Sequence, residues 1–235
     1  MTRAAESNRR ERILDAAEQC FAEFGFAGAS LRAIVERAEV NLATVYYYFR
    51  SKSGLMEEVL KRRFGPLRAE HLRLLRQYEA EAGGHPLGVE KVLEAMLRPP
   101  LRLAMGQSAQ REVVTRLIGR IVAEPNPKMQ EILRAQRAEV RAALLKALSA
   151  SLPQLGIAEL QCRTELFWGA LAFLLCNPRK LAHETRGKFD LADGETVIAE
   201  LLSFFSAAFR APAARAASPS ARRKASRNSP KVPDP

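Results

Sequence analysis

The amino-acid sequence predicts an all-α fold, with short helices near its N-terminus and longer helices after them. Ala, Leu, Arg and Glu, which favour helices, dominate the 235 residues, while runs of β-branched residues are scarce. Apolar residues recur at helical spacing, and no pair of segments shows the strict alternation of strands. A hydrophobic content of 47% is enough for a sizeable core, in one domain or two.

The first apolar pattern predicts an amphipathic helix over residues 10–24. Its buried face would carry Ile13, Ala17, Cys20, Phe21 and Phe24, at the spacing of one helix face. Gly25 stands where a left-handed residue would end this helix, and Phe26 would then pack on Phe21.

Three shorter helices are predicted next. Ser30 is a plausible N-cap for a helix over residues 31–38, whose apolar face is Leu31, Ile34, Val35 and Ala38. After the break at 39–41, a third helix covers residues 42–49. A fourth begins at Ser51 or Ser53 and continues to about Phe64, where Gly65-Pro66 predicts a joint or a kink.

The remaining chain to residue 210 shows longer helical patterns separated by Gly, Pro and Asn. Pro99-Pro100 is expected to break or kink one of them. The predicted helices cover 67–81, 87–105, 108–123, 127–151, 158–177 and 194–210.

We therefore predict a flexible N-terminus over 1–8, a helix-turn-helix domain over 9–64 and a larger helical domain over 65–210. Residues 211–235 contain Ala, Pro, Ser and Arg with almost no large apolar side chain, which predicts a disordered tail. The stretch 215–231 is basic. It is either a solvated end or a source of nonspecific DNA affinity through counterion release.

The net charge of +11 suggests a polyanionic partner, but the charge is uneven. Residues 1–64 hold 11 basic and 9 acidic side chains, a net +2, whereas 211–235 hold 6 and 1, a net +5. Arg50, Arg62 and Arg63 are expected to be solvated charges at helix ends. Because the N-terminal part has a low net charge, DNA affinity would depend on a few specific side-chain contacts and on dimerisation.

Several classes of function are disfavoured by the sequence. Cys20, Cys162 and Cys176 lack metal-ligand spacing and are expected to be buried thiols of a cytosolic protein. The longest apolar run, 166–176, is too short to span a membrane. The three histidines, His71, His85 and His183, are isolated, and no phosphate loop or nucleophile motif occurs. We expect neither an enzyme nor a bound cofactor or metal.

A tight break between the second and third helices is typical of a helix-turn-helix, in which the later helix enters the major groove of DNA. On a helical wheel Val45 and Phe49 face inward, and Tyr46, Tyr47 and Tyr48 fan across the opposite side. A tyrosine hydroxyl can bond a phosphate oxygen, and at pH 7 it carries no charge that would repel DNA.

The stretch "RERILDAAEQCFAEFGFAGASLRAIVERAEVNLATVYYYFRSKSGLMEEVL", about a quarter of the chain, resembles the DNA-binding module of the TetR family of bacterial regulators. The resemblance implies a double-stranded DNA operator as partner. It places Ser30 and Arg32 near phosphate or a base edge, and Leu42, Ala43 and Thr44 against bases. The phosphate or sugar contacts would come from Tyr46, Tyr47 and Tyr48, with Tyr46 also near a base, and from Lys52.

Three positions depart from the family pattern. Glu39 replaces the usual glycine of the turn, so the turn must tolerate a side chain. Gly54 stands where a capping acid is common, which is expected to weaken the start of the fourth helix. Leu42 is apolar and lies near the inward face of the wheel. It either contacts a thymine methyl group or packs internally, and we favour packing.

The resemblance implies that the larger domain dimerises and binds a ligand. Two late helices, one containing "ELFWGALAFLLC", carry excess apolar surface suited to a two-fold, four-helix interface; the alternative is a plain monomeric core. The predicted interface residues are Leu166, Gly169, Ala170, Phe173, Val197, Leu201, Phe204, Phe205 and Ala208.

A ligand pocket is expected among the helices between about 87 and 175, although ordinary core is the favoured interpretation of each candidate lining residue. The candidates are Met96, Leu97, Leu101, Met105, Val113, Leu117, Ile121, Phe167, Trp168 and Phe173. This region loosely resembles the fatty-acid-responsive branch of the family that includes PsrA. That likeness implies an apolar or acyl-chain effector, with an arginine such as Arg111 or Arg116 meeting an acidic group. The sequence thus favours a ligand-responsive repressor over a helical interaction protein that does not bind DNA.

Overall fold

A computed structural model describes residues 3–105, Leu117, 126–190 and 193–213 of the chain. Within these ranges the secondary structure is helical and no strand occurs, which confirms the all-α prediction. The helices are α1 (Arg3–Gly28), α2 (Leu31–Arg37), α3 (Leu42–Phe49), α4 (Lys52–Glu81), α5 (Val89–Met105), α6 (Pro127–Ser151), α7 (Ile157–Cys176), α8 (Pro178–Glu184) and α9 (Gly194–Arg210).

Side-chain caps fix the starts of the short N-terminal helices. Ser30, Asn41 and Ser51 each accept a hydrogen bond from the backbone N–H three residues later, at 3.0, 2.8 and 3.0 Å. These bonds satisfy donors that the first turn of a helix leaves unpaired. The predicted cap at Ser30 is confirmed, and Ser51 rather than Ser53 starts α4.

Helix α1 begins at Arg3 rather than at residue 10, so most of the segment predicted to be flexible is helical. Two contacts bind this first part of α1 to the module. The Tyr48 hydroxyl donates to the Glu6 carbonyl at 3.4 Å, and Arg10 forms an ion pair with Glu58. Such contacts join distant parts of the chain, and apolar periodicity does not reveal them.

The end of α1 follows the sequence prediction more closely. Gly25 adopts a φ of +72°, which a glycine accommodates readily, and it interrupts the helical geometry of α1. The ring centroids of Phe21 and Phe26 lie 6.1 Å apart, which confirms their predicted packing. Phe24 was expected on the buried face, but it is 47% exposed because the apolar stripe has drifted away from the core by the last turn.

Helix α4 runs without interruption through Gly65-Pro66, so the predicted joint does not occur there. Proline has a φ compatible with a helix. Because Pro66 has no N–H, the Arg62 carbonyl lacks one hydrogen bond, and packing on both sides of the helix can offset this loss. Helix α5 likewise passes through Pro99-Pro100. Helix α8 was missed because Asn177-Pro178 was interpreted as a break, whereas Pro178 occupies the first turn of a helix. The helix predicted over 108–123 lies outside the described residues except for Leu117.

The buried side chains form two cores. The first joins α1 to α4, through residues such as Phe21, Ile34, Val45 and Leu55, and also contains Leu117, Met129, Ile132 and Leu133 from much later in the chain. The second core joins α5, α7 and α9 to the later halves of α4 and α6. Helices α4 and α6 therefore contribute to both cores, and the predicted domain boundary at 64/65 falls inside α4.

An ionic cluster fastens α1 to α4. Glu18 is 2% exposed and accepts hydrogen bonds from Arg62 at 2.5 Å and from Arg63 at 2.7 Å. Arg62 also contacts Asp15 at 2.8 Å. The expectation that Arg62 and Arg63 are merely solvated was therefore wrong, because their guanidinium groups pair with a carboxylate that has little access to water.

The cysteines differ in exposure. Cys20 is buried and Cys176 is half-buried, but Cys162 is exposed, in contrast to the expectation for all three. Cys162 lies on the side of α7 away from Leu160, Thr164 and Phe167, which face the core.

Candidate nucleic-acid interface

The turn between α2 and α3 contains Glu39 in the left-handed region, at a φ of +50°. Its N–H donates to the Glu36 carbonyl at 3.1 Å, and the N–H of Val40 donates to the Val35 carbonyl at 3.0 Å. These two bonds form the Schellman pattern that ends many helices, in which glycine usually occupies the left-handed position. The turn keeps the geometry that glycine would provide, although a side chain stands there.

Arg12 of α1 holds this turn in place. Its guanidinium donates to the Ala38 carbonyl through Nε at 3.1 Å and through one terminal nitrogen at 2.6 Å. The same nitrogen donates to the Glu39 carbonyl at 2.9 Å. These charge-assisted bonds satisfy carbonyls at the end of α2. Because α1 packs against the module core, they also hold the turn between α2 and α3 in a fixed position.

Helix α3 presents one buried face and one exposed face. Val45 is 0% exposed and Phe49 is 4% exposed, whereas Tyr46 is 49% and Tyr47 is 77% exposed. Leu42 is 40% exposed, so it does not pack as expected, although packing was the favoured interpretation. Ala43 beside it is also exposed. The result is a surface of mixed aromatic and apolar character at the start and middle of the helix.

Tyr48 and Thr44 make bonds within the module. Tyr48 is half-buried, packs on the first core, and uses its hydroxyl to reach Glu6. The Thr44 hydroxyl donates to the Asn41 side chain at 2.7 Å, beside the backbone bond that Asn41 accepts. Asn41 therefore fixes the start of α3, a cap that was not predicted from the sequence.

The other predicted contact residues surround α3. Ser30 and Arg32 are exposed at the start of α2. Lys52 is half-buried at the start of α4, with its Nζ 3.2 Å from the Ala27 carbonyl and 4.9 Å from the centroid of the Phe26 ring. Because an ammonium group carries three N–H donors, the bond to Ala27 does not by itself prevent contact with a phosphate.

The connection from α3 to α4 is unusually tight. Arg50 has a φ of +61°, and the next N–H, of Ser51, donates to the Phe49 carbonyl at 2.7 Å. A Cβ atom at Gly54 would lie 2.3 Å from that carbonyl oxygen. Gly54 was expected to weaken the start of α4, but here it permits a close approach of α3 that a side chain would obstruct.

The predicted pocket residues are mainly core. Met96, Leu97, Leu101, Leu117 and Phe167 are at most 1% exposed. Trp168 is half-buried, whereas Phe173 is 52% exposed on the outside of α7. Met105 ends α5, but its side chain lies outside the description, as do Val113 and Ile121 and both candidate arginines, Arg111 and Arg116.

The predicted interface residues fall into two groups. Val197 and Phe205 lie in the chain's own core, at 1% and 6% exposure, and Leu201 is half-buried. The others form an exposed apolar face on α7 and α9: Leu166 (67%), Gly169, Ala170, Phe173 (52%), Phe204 (64%) and Ala208. We refer to these six residues as the α7–α9 face.

The described residues contain neither a helix that could span a bilayer nor a cluster of side chains that could hold a metal ion. None of the helices there combines the length and apolar character needed to cross a bilayer. In the same part of the chain, no group of three or more His, Cys, Asp or Glu side chains is placed to hold a metal ion.

Comparison with known protein families identifies the family to which this helical chain belongs. Residues 13–59 match the family model described as bacterial regulatory proteins, tetR family. Residues 94–208 match a tetracyclin repressor-like C-terminal domain. The chain belongs to the TetR family. Members of this family are transcriptional regulators rather than enzymes.

Individual TetR-family relatives extend the comparison. The HTH-type transcriptional repressor KstR of Mycolicibacterium smegmatis is 38% identical over 102 residues, which are 41% of this chain and 48% of KstR. The chain thus spans about half the length of this curated relative.

Solved structures support the TetR fold over most of the chain. The fatty acid degradation regulator FadR from Bacillus halodurans superposes with a TM-score of 0.54 at 16% identity, covering 86% of this chain and 96% of FadR. A regulator from Rhodococcus sp. Rha1 gives 0.52 at 23% identity, covering 83% and 95%. At these identities the likeness concerns the fold.

Proposed function

We propose that this TetR-family protein is a DNA-binding transcriptional repressor that acts as a homodimer and leaves its operator when a small apolar effector binds. The observation that carries the proposal is the division of α3 into two faces. Val45 and Phe49 anchor one face in the first core, while Tyr46 and Tyr47 project from the other into solvent. Exposed aromatic side chains on a short, firmly anchored helix suit the surface of the major groove.

The contacts divide by chemistry. Tyr47, Arg32 and Lys52 would bind phosphate oxygens and set the register of the protein on DNA. Leu42, Ala43 and Thr44 would face the bases, with Leu42 against a thymine methyl group. Ser30 and Tyr46 would contribute at the edge of the groove, and Tyr48 would act mainly by holding α1 against α3.

Dimerisation would use the α7–α9 face. Leu166, Gly169, Ala170 and Phe173 recur at helical spacing, and so do Phe204 and Ala208 on the neighbouring helix. Exposed apolar residues repeated along one side of each helix mark a candidate association site. A second copy would cover it by two-fold symmetry and place two recognition helices one helical turn of DNA apart, ~34 Å, or a multiple of that distance.

Effector release would use the two helices that enter both cores. An effector bound among α4, α5, α6 and α7 would favour one arrangement of α4 and α6, and both helices also pack on the core of the DNA-binding module. The effector must bind the released arrangement more tightly than the DNA-bound one, because equal affinity would shift nothing.

Binding to DNA from upstream of the protein's own gene tests the proposal. Tyr47→Ala is expected to lower operator affinity at least tenfold, since each charge-assisted or phosphate contact contributes about 1.5–3 kcal/mol. Lys146→Ala, which removes an exposed charge on α6, is the control and is expected to bind normally. Equal binding of operator and scrambled DNA by all three proteins would contradict the proposal and favour nonspecific attraction.

A further inference from the structure

The first turns of α1 lie along α3, the helix proposed to read DNA, and contact it near both of its ends. Near the end of α3, the Tyr48 hydroxyl donates to the Glu6 carbonyl at 3.4 Å. There too, the guanidinium carbon of Arg10 lies 5.5 Å from the centroid of the Phe49 ring. At the other end, Arg12 donates hydrogen bonds to the turn that precedes α3. This part of α1 therefore follows one side of α3.

Arg9 stands in the middle of this part of α1. It lies three residues after Glu6 and three residues before Arg12, so the three positions are neighbours on one side of α1. On the facing helix, Tyr48 shares its side of α3 with Thr44, one turn earlier, and both residues are half-buried. Arg9 therefore lies along the flank of α3, beside the face that carries the exposed tyrosines.

The guanidinium of Arg9 is available to bind an anion. The residue is half-buried, and among the residues that the structure describes no carboxylate lies within 4.0 Å of it. Two carboxylates of this region have other partners, since Glu58 pairs with Arg10 and Glu11 lies 3.2 Å from Arg62. A cation that is partly shielded from water attracts an anion more strongly than a fully solvated one does.

The position of Tyr47 indicates which anion would lie there. Its ring, on a residue that is 77% exposed, meets the Tyr48 ring edge-on with centroids 5.0 Å apart. A phosphate bound by Tyr47 would therefore lie near the side of α3 along which α1 runs. We propose that Arg9 binds a DNA phosphate beside the one that Tyr47 contacts, so that α1 adds a backbone contact outside the helix-turn-helix.

This contact rests on the proposed function and assigns it a further binding residue. A guanidinium donates two parallel hydrogen bonds to phosphate oxygens, and its charge releases counterions from the DNA. Because Tyr48 and Arg12 hold α1 against α3 and its turn, a phosphate bound by Arg9 sets the position of α3 in the groove. The contact itself reads no bases.

Operator binding measured at several salt concentrations tests the role of Arg9. Arg9→Gln is expected to weaken operator binding about tenfold. It should also lower the slope of log affinity against log salt by about 0.9 for each subunit bound, because one phosphate contact per subunit is lost. Arg9→Lys keeps the charge and should keep the slope, with a smaller loss of affinity because an ammonium group lacks the paired donors. Thermal unfolding should be the same in all three proteins.

Lys61→Gln is the matched control, since it removes one exposed positive charge from the same module. It should bind the operator with the affinity and the salt slope of the wild type. The role of Arg9 is overturned if Arg9→Gln also keeps both values, or if Lys61→Gln loses as much as Arg9→Gln does, since bulk charge would then explain the effect.

Scrambled DNA is titrated beside the operator to separate this role from the proposed function. Wild-type protein that does not prefer the operator would contradict the proposed function, and the role of Arg9 would fall with it. Wild-type protein that prefers the operator, together with an unaffected Arg9→Gln variant, would overturn the role of Arg9 alone.

Discussion

The Nδ1 atom of His71 lies 2.8 Å from the carbonyl oxygen of Ala95 and donates a hydrogen bond to it. Within a regular helix this carbonyl would accept from the N–H of residue 99, but Pro99 has none. His71, which is 4% exposed, thus supplies from α4 the donor that α5 lacks. A histidine that looked isolated in the sequence satisfies a buried backbone group.

Replacing His71 should destabilise the protein. His71→Leu leaves the Ala95 carbonyl without its donor, at an expected cost of about 1–3 kcal/mol in the free energy of unfolding. Chemical denaturation at pH 7.5 would measure the loss. His85→Leu, at an exposed position after α4, is the control and should change stability little. An equal loss in both variants would contradict the role of the bond.

The same histidine predicts a dependence of stability on pH. Burial lowers the pKa of His71, and this effect exceeds the opposing effects of the Ala95 bond and the Glu70 charge. The folded protein therefore binds fewer protons at this site than the unfolded chain does. The contribution to stability is full above about pH 6.5 and is lost as the pH falls below it. Unfolding measured from pH 7.5 to 5 should show this loss in the wild type and a smaller one in His71→Leu.

Glu39→Gly should stabilise the module. A residue with a side chain at a φ of +50° destabilises the fold by about 1 kcal/mol relative to glycine. The exposed ion pair of Glu39 with Arg12, at 3.9 Å, stabilises it by less than that amount. Thermal unfolding should therefore shift upward. Glu36→Gly, in the helical part of α2, should instead lower stability by about 1 kcal/mol. If both glycines destabilise equally, the turn does not carry the predicted strain.

Gly54→Ala tests the close approach of α3 and α4. The added Cβ would lie 2.3 Å from the Phe49 carbonyl oxygen, so the helices must shift, at an expected cost of about 1–3 kcal/mol. Operator affinity should fall as well, because α3 carries the exposed tyrosines. Gly65→Ala meets no atom within 4 Å and should stabilise α4 by about 0.4–1 kcal/mol. Unchanged stability and DNA binding in Gly54→Ala would refute the account.

Charged substitutions on the α7–α9 face should weaken the proposed dimer. Phe204→Asp would place a carboxylate at the centre of an apolar interface, and dimerisation measured by sedimentation should weaken at least tenfold. Ile157→Asp is the control, since Ile157 is 56% exposed but lies on another side of α7. An equal effect of both variants, or a monomeric wild type, would count against this interface.

The sequence predicted the features that depend on local pattern. It placed α3, the cap at Ser30, the packing of Phe21 on Phe26 and the inward direction of Val45 and Phe49. Each of these follows from residue types a few positions apart, since helical spacing and capping are local properties.

The features that the sequence did not predict depend on distant contacts. Pro66 was interpreted as a joint, but its cost within α4 is offset by packing in two cores that the pattern does not reveal. The three neighbouring tyrosines differ in exposure, because Tyr48 bonds to Glu6 across the module while Tyr47 projects into solvent. The participation of Met129 and Leu133 in the core of the DNA-binding module could likewise be found only from the folded chain.

Footprinting on the operator tests the central claim most directly, because it shows whether α3 contacts specific DNA and whether two copies bind two half-sites. Wild-type protein should protect two related half-sites whose centres are one helical turn of DNA apart, or a multiple of it, and Tyr47→Ala should lose both at the same concentration. Uniform protection of any DNA, equal in the wild type and in Tyr47→Ala, would contradict the account.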